Sequence, residues 1–279
     1  MTAYFQCGRY RLDLVSPVSR PLVMGILNVT PDSFSDGGKY MDLPAALRRA
    51  EQMIKEGADI IDIGAESTRP GAGSISLQEE LDRLMPVVEA LRHCERPLSI
   101  DTGKPEVMAA ALAAGADMIN NTDGFRSAGP GDSLVSGECG ICVMHMQGSP
   151  ETMQTAPAYT DVTEETIAFL KERVEVLLAA GISRERICID PGFGFGKTVE
   201  QNLVLLKNLS HIRNSLQLPL LVGLSRKSVI GAITGREVSK RLAGNLGAAL
   251  SAVANGANIL RVHEVGETVD ALKVWRAAR

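Results

Sequence analysis

Apolar residues along this chain cluster into eight short, almost uninterrupted runs: 23–29 (VMGILNV), 60–64 (IIDIG), 98–101 (LSID), 118–121 (MINN), 141–145 (ICVMH), 187–190 (ICID), 220–225 (LLVGLS) and 259–263 (ILRVH). Strands with one wet face alternate apolar and polar residues, whereas runs without alternation suit a parallel sheet buried on both faces. Stretches of helical period separate them. Segment 43–58 carries Leu43, Leu47, Ala50 and Ile54 on one face and stops at Gly57. Segment 76–93 opens with Ser76 and Glu79, a capping-box spacing. The next begins with Pro105 in its first turn and ends at Gly115, and segments 161–181, 199–216, 239–257 and 265–278 continue the series. The stretch after the fourth run is short and poor in helix formers. Three helices end in near-repeats, KEGADII, AAGADMI and ANGANIL, each joining a glycine cap to the next strand.

Eight strand–helix units in roughly 250 residues predict an α/β fold, a (β/α)8 TIM barrel forming a single domain over 1–279. Residues 1–20 alternate around Cys7 and Gly8 and predict a β-hairpin that plugs one end of the barrel. The alternative, a doubly wound open sheet, needs no eighth strand and usually carries a glycine fingerprint after its first. GILNVTPDSF has one glycine, before the turn.

Barrel chemistry gathers at the C-terminal strand ends, and those ends are polar here. The first run finishes in Asn28, followed by Thr30, Asp32 and Ser33. The second leads into Glu66, Ser67, Thr68 and Arg69. The others finish in Asp101, in Asn120 and Asn121, in His145, in Asp190, in Ser225, Arg226 and Lys227, and in Arg261 and His263. Such a lopsided distribution indicates an enzyme.

Asp101 fits either a helix cap near Lys104 or a ligand carboxylate. Asp190 is harder to read as a cap, because the following helix begins only near Val199. A carboxylate in a partly dry cavity calls for a partner with paired N–H donors. Arg261 and His263 alternate with Val262, so both face one way and, with Arg69, suit a phosphate or pyrophosphate. Asn28 offers a hard oxygen of the kind magnesium takes, although an Asn at a strand end is weak by itself. Lys227 is either a solvated loop cation or a contact to a ligand's polar edge. Phe34 and Phe195 are loop anchors or the walls of a flat pocket. His145 between two methionines is as compatible with a structural role as with a catalytic one.

Composition narrows the field. Apolar residues at 45% and charged ones at 22% support a sizeable core, and a net charge of −4 argues against a nucleic-acid partner. No apolar run reaches about 18 residues, so no membrane span is expected. MTAYFQCGRYRLDL has no leader-like stretch, which points to the cytoplasm. Five cysteines form no disulfide framework, and Cys139-x-x-Cys142 lies in a strand without a second pair at zinc spacing. DPGFGFGKT (190–198) mimics a phosphate loop, but the spacing would put the loop's first glycine at Pro191, which lacks an N–H. Its glycines instead let a tight loop approach a ligand, with Lys197 read as a rim cation.

The motifs GILNVTPDSFSDGG, ESTRPGA, SIDTGKPEV, VMHMQGSPETMQ, DPGFGFGK, LLVGLSRKS and RVHEV, in this order over nearly the whole chain, closely resemble the dihydropteroate synthase family of the folate pathway. The resemblance implies a homodimeric barrel that condenses (7,8-dihydropterin-6-yl)methyl diphosphate with 4-aminobenzoate, releasing pyrophosphate. It implies that Asp101, Asn120, Asp190 and Lys227 hold the pterin. Thr68, Arg69, Arg261 and His263 would surround the diphosphate, with Mg2+ at Asn28. Phe34, Pro70, Phe195 and Ser228 would form the aminobenzoate pocket. Asp101, Lys227 and Arg69 are the expected catalytic groups, in a dissociative reaction through a cationic methylene. The chain departs from the family pattern at Ala65, Gly103 and Asn121, where glycine, serine and aspartate are common. Two rivals, a corrinoid-system pterin methyltransferase and a non-catalytic pterin binder, are disfavoured because STRPG, the Arg261/His263 pair and both early loops are present.

Overall fold

In a computed structural model, which describes residues 3–14, 20–30, 43–66, 73–127, 129–148, 153 and 157–278, each of the eight runs forms a strand. A hairpin of β1 (Tyr4–Cys7) and β2 (Tyr10–Asp13) precedes them. The barrel strands are β3 (Leu22–Asn28), β4 (Ile60–Gly64), β5 (Leu98–Asp101), β6 (Met118–Asn121), β7 (Gly140–Met144), β8 (Ile187–Asp190), β9 (Leu221–Val222) and β10 (Ile259–Val262). They lie parallel in the order β8-β7-β6-β5-β4-β3-β10-β9, and a single parallel bridge, Ile189 to Leu220, closes the ring. The seventh strand is shorter than its apolar run suggests, because its β8 side carries only that bridge.

The helices are α1 (Leu43–Glu56), α2 (Leu77–Leu91), α3 (Pro105–Ala114), α4 (Asp132–Ser136), α5 (Val162–Ala179), α6 (Val199–Lys207), α7 (Leu209–Leu216), α8 (Ser228–Thr234), α9 (Leu242–Ala254) and α10 (Val265–Ala277). Ser76 caps α2 by accepting the Glu79 N–H, and Gly115 ends α3 in the left-handed region. The expected continuous helix over 199–216 is instead broken at Asn208. The Asn208 side chain donates to the Val204 carbonyl, a local bond that competes with the helix ladder. Helix α8 was absent from the sequence reading, and α9 starts later than its pattern suggested. No helix among the described residues is long and apolar enough to cross a membrane.

The strands have two different buried faces. Ile61, Ile63, Leu98, Ile100, Ile119, Ile141, Ile187 and Ile189 belong to the main cluster with the helices. Ile60, Met118, Cys142, Cys188, Leu221 and Ile259 join Phe5 and Cys7 of the hairpin in a separate cluster inside the barrel. The hairpin therefore plugs the N-terminal end. Its turn requires glycine: Gly8 has φ +58°, and an added Cβ would lie 2.8 Å from the Asp117 Cα. Asp117 also pairs with Arg9 and accepts the Leu98 N–H, tying plug to strand.

Candidate active site

Inward-facing residues alternate along each strand, and their character changes from bottom to top. Ile60, Met118, Cys188 and Ile259 give way, two residues on, to Asp62, Asn120, Asp190 and Arg261. The upper interior thus holds three buried carboxylates, Asp62, Asp101 and Asp190. Arg261 lies between two of them: its Nε donates to Asp62 Oδ2 at 2.6 Å and its Nη2 to Asp101 Oδ2 at 2.7 Å. The other Asp101 oxygen is buried without a hydrogen-bond partner among the described residues. Burial pushes the Asp101 carboxyl up to about 7; Arg261 opposes that shift and Asp62 adds to it. Asp101 does not cap α3; Lys104 is its N-cap residue without a side-chain cap bond, and the Thr102 hydroxyl accepts the Lys104 N–H.

Asn120 and Asn121 point to opposite sides. The Asn120 amide lies 3.4 and 3.5 Å from the two Asp62 oxygens, inside the barrel. The Asn121 Oδ1 accepts the N–H groups of Asp123 and Phe125 and shapes the following turn, a task for which an amide suffices.

Asp190 Oδ1 accepts the Gly192 N–H at 2.7 Å, which starts the loop after β8. Burial raises its pKa, with Lys227 opposing. That loop packs so closely against the one after β7 that a Cβ on Gly192 would lie 1.8 Å from the His145 oxygen. Lys227 donates to the Phe193 carbonyl, and its Nζ stands 4.4 Å from the centre of the Phe195 ring. Burial lowers the Lys227 pKa to about 8, against the pull of Asp190. The turn that carries it is held from outside: Arg226, at φ 62°, donates its N–H to Asn245 Oδ1 and its Nε to Glu264 Oε1. Ser228, exposed at the start of α8, adjoins Lys227. Phe195 packs with Met144, Met146 and Met153.

Lys197 is no rim cation. It is 3% exposed, and its Nζ contacts the Gly192 carbonyl at 2.9 Å, the Phe195 carbonyl at 3.0 Å and His145 Nδ1 at 2.9 Å. An ammonium has three N–H donors, and here they meet three acceptors. Burial lowers the lysine to about 7 and His145 to about 2, so the imidazole is neutral and accepts at Nδ1. His145 lies edge-on to Phe169 and serves as a structural partner of the loop. The Thr198 beside it caps α6 in a full capping box with Gln201, which accounts for the Gly-Lys-Thr ending.

At the far rim, His263 Nδ1 meets Ser225 Oγ at 2.9 Å, and the same hydroxyl reaches Glu264 Oε2 at 3.0 Å. A carboxylate takes the single hydroxyl proton, which assigns the ring hydrogen to Nδ1. Asn28 ends β3 half-buried beside Gly64. Among the described residues no cluster of three or more His, Cys, Asp or Glu could hold a metal alone. Asp32, Ser33, Phe34, Ser67, Thr68, Arg69 and Pro70 lie outside the described residues.

Two features escaped the sequence reading. Asp62 interrupts an apolar strand, and that interruption was its available signal. Glu80 is fully buried on α2, accepting from Thr102 and from Lys104, whose Nζ also donates to Glu66 at 2.8 Å. Glu66 in turn accepts the Ile75 N–H at 3.1 Å. This group links Glu66 and Ile75 to Glu80 and to the start of α3.

Residues 24–263 match the model of a family described as pterin binding enzymes. The chain is 48% identical over 261 residues to the dihydropteroate synthase of Haemophilus influenzae, covering 93% of this chain and 94% of that one. A structure of Burkholderia cenocepacia dihydropteroate synthase complexed with 7,8-dihydropteroate superposes with a TM-score of 0.89 at 51% identity, covering 99% and 96% of the two chains. One of the Xanthomonas albilineans enzyme with 4-aminobenzoic acid gives 0.91 at 47%, covering 100% and 98%.

Proposed function

The chain belongs to the dihydropteroate synthase family of pterin-binding enzymes, and we propose that its barrel mouth divides the reaction among three neighbouring groups of residues. It condenses (7,8-dihydropterin-6-yl)methyl diphosphate with 4-aminobenzoate to 7,8-dihydropteroate and pyrophosphate. Asp101, Asn120, Asp190 and Lys227 take the pterin. The supporting observation is the buried Asp101 oxygen that has no partner among the described residues, set beside Asn120 in the strand register. A pterin's guanidine-like edge presents paired N–H donors, and a carboxylate accepts such a pair as it does from arginine. Arg261 and His263, with Thr68 and Arg69, take the diphosphate. Phe195 and Ser228, with Phe34 and Pro70, take the aminobenzoate.

Chemistry follows from this charge distribution. The methylene–oxygen bond breaks and its electron pair leaves with pyrophosphate, which Arg261, His263 and Arg69 stabilise. The cationic methylene is conjugated to the pterin and faces Asp101, whose ionised form favours it electrostatically. The aryl amine adds to the methylene, forming the carbon–nitrogen bond, and loses its proton. Among these groups Asp101, Lys227 and Arg69 are catalytic. Mg2+ bound at Asn28 would neutralise diphosphate charge. One amide oxygen fits that ion only together with the substrate's own phosphate oxygens, since magnesium uses few protein ligands.

A coupled assay for pyrophosphate release tests this reading: release is expected only when 4-aminobenzoate is present, and amine-independent or absent release would overturn it. Arg261→Ala is expected to weaken the pterin diphosphate far more than the non-phosphorylated pterin alcohol. Omitting Mg2+ is expected to weaken the diphosphate in the wild type and have little effect in Asn28→Ala. The chain acts as a homodimer in this proposal, supported by exposed apolar Val204, Ile233, Val238 and Leu242 on neighbouring helices α6, α8 and α9 and the turn between the last two. Light scattering that gave a monomer mass would overturn it.

A further inference from the structure

Asp62 has no place in the assignments above, yet it is the most enclosed charge in the barrel. It is fully buried at the centre of β4, and each of its oxygens is engaged. Oδ1 accepts the Ser99 hydroxyl at 2.6 Å, Oδ2 accepts Arg261 Nε at 2.6 Å, and Asn120 stands beside both. A buried ion pair is a poor source of stability, because desolvating two ions offsets much of their attraction. What the pair does supply is orientation. A guanidinium is a rigid planar fork, so fixing Nε fixes the direction of the other N–H groups. Asp62 and Asp101 share one edge of that fork, but they differ in setting. Asp62 is held on all sides, whereas Asp101 lies one layer nearer the mouth with one oxygen unpartnered.

We infer that Asp62 is a positioning residue for diphosphate recognition. It anchors the guanidinium by Nε, with Ser99 holding the carboxylate in turn, and so aims the remaining Arg261 donors at the departing pyrophosphate. The Asp101 contact to Nη2 is the exchangeable one: phosphate oxygens replace it, and Asp101 then turns its charge to the cationic methylene. This inference rests on the assignment of Arg261 to the diphosphate.

Titration calorimetry on the full chain tests it, with pyrophosphate in excess Mg2+ and, separately, the pterin alcohol. Asp62→Asn is expected to weaken pyrophosphate roughly tenfold or more, the scale of one charge-assisted hydrogen bond. The pterin alcohol should change by less than about threefold, a readout that a merely structural loss would not spare. In an Arg261→Ala background Asp62→Asn should cause no further loss of pyrophosphate affinity. Ser99→Ala, which deletes only the supporting hydroxyl, should weaken pyrophosphate in the same direction and less, and it provides the readout should Asp62→Asn melt early. Unchanged pyrophosphate affinity in these variants, or an equal loss with and without Arg261, would overturn the inference. If Arg261→Ala alone left pyrophosphate binding intact, the diphosphate assignment itself would fall instead.

Discussion

The two ends of the barrel interior are built from the same strands, two residues apart, and they do opposite work. At the bottom, Phe5, Cys7, Met24, Ile60 and Met118 fill the space without a polar side chain among them; burial holds the Cys7 thiol well above its usual pKa, and the Cys188 contact together with burial does the same for Cys142. Both thiols stay protonated there. At the top, Asp62, Asp101, Asp190, Lys227 and Arg261 crowd together, with one carboxylate oxygen left without a partner. The lower end gains free energy from burying apolar surface, and the upper end loses some by desolvating charge, a cost met by the rest of the fold. Stability and activity should therefore respond to different substitutions.

The sharpest contrast is expected from Phe5→Ala. Phe5 is fully buried against the Gly140 backbone, and its removal should cost about 3–5 kcal/mol in urea unfolding. Turnover per folded molecule should stay near the wild-type value; a site-specific loss of kcat would break the division between the two ends. Asp190→Ala should do the reverse: pterin affinity falls at least about 100-fold, near 3 kcal/mol, while the unfolding midpoint holds or rises. Unchanged pterin binding would remove Asp190 from the site.

A smaller effect concerns the loop that joins the two sides of the mouth. His145 has a folded pKa near 2 against 6.5 when unfolded. Below pH 6.5 the unfolded chain therefore binds a proton that the folded chain refuses, and stability falls as pH drops. The loss from this group between pH 6.5 and 5 is about 1.7 kcal/mol. Unfolding curves of His145→Gln should be flatter than wild type by that amount, and equal slopes would show that burial, with Lys197 beside it, does not keep the ring neutral. The smallest expected change is Lys273→Ala. Its partner Asp270 is one turn away on the exposed face of α10, so stability should move by less than about 0.5 kcal/mol and activity not at all.

Legibility in the sequence followed the same division. The strands were readable because apolar runs and glycine-ended helices are local patterns, and Ser76, Pro105 and Gly115 mark helix ends where the structure has them. The plug was readable from alternation around Gly8. Asp101, Asn120, Asp190, Arg261 and His263 stood out as polar residues ending apolar strands. Lys197 was misread because a lysine in a glycine-rich loop looks solvated. Its burial depends on two carbonyls bent toward it and on His145, 52 residues earlier. Asp62 was passed over because its meaning lies in Arg261, 199 residues away.

By itself, then, the sequence determined the barrel, its plugged end and the end that carries chemistry, because periodicity and capping act over a few residues. Only the tertiary structure decided which charges pair. Closing the ring brings the first and last strands side by side, and the energy of a buried charge depends on whichever partner that closure delivers.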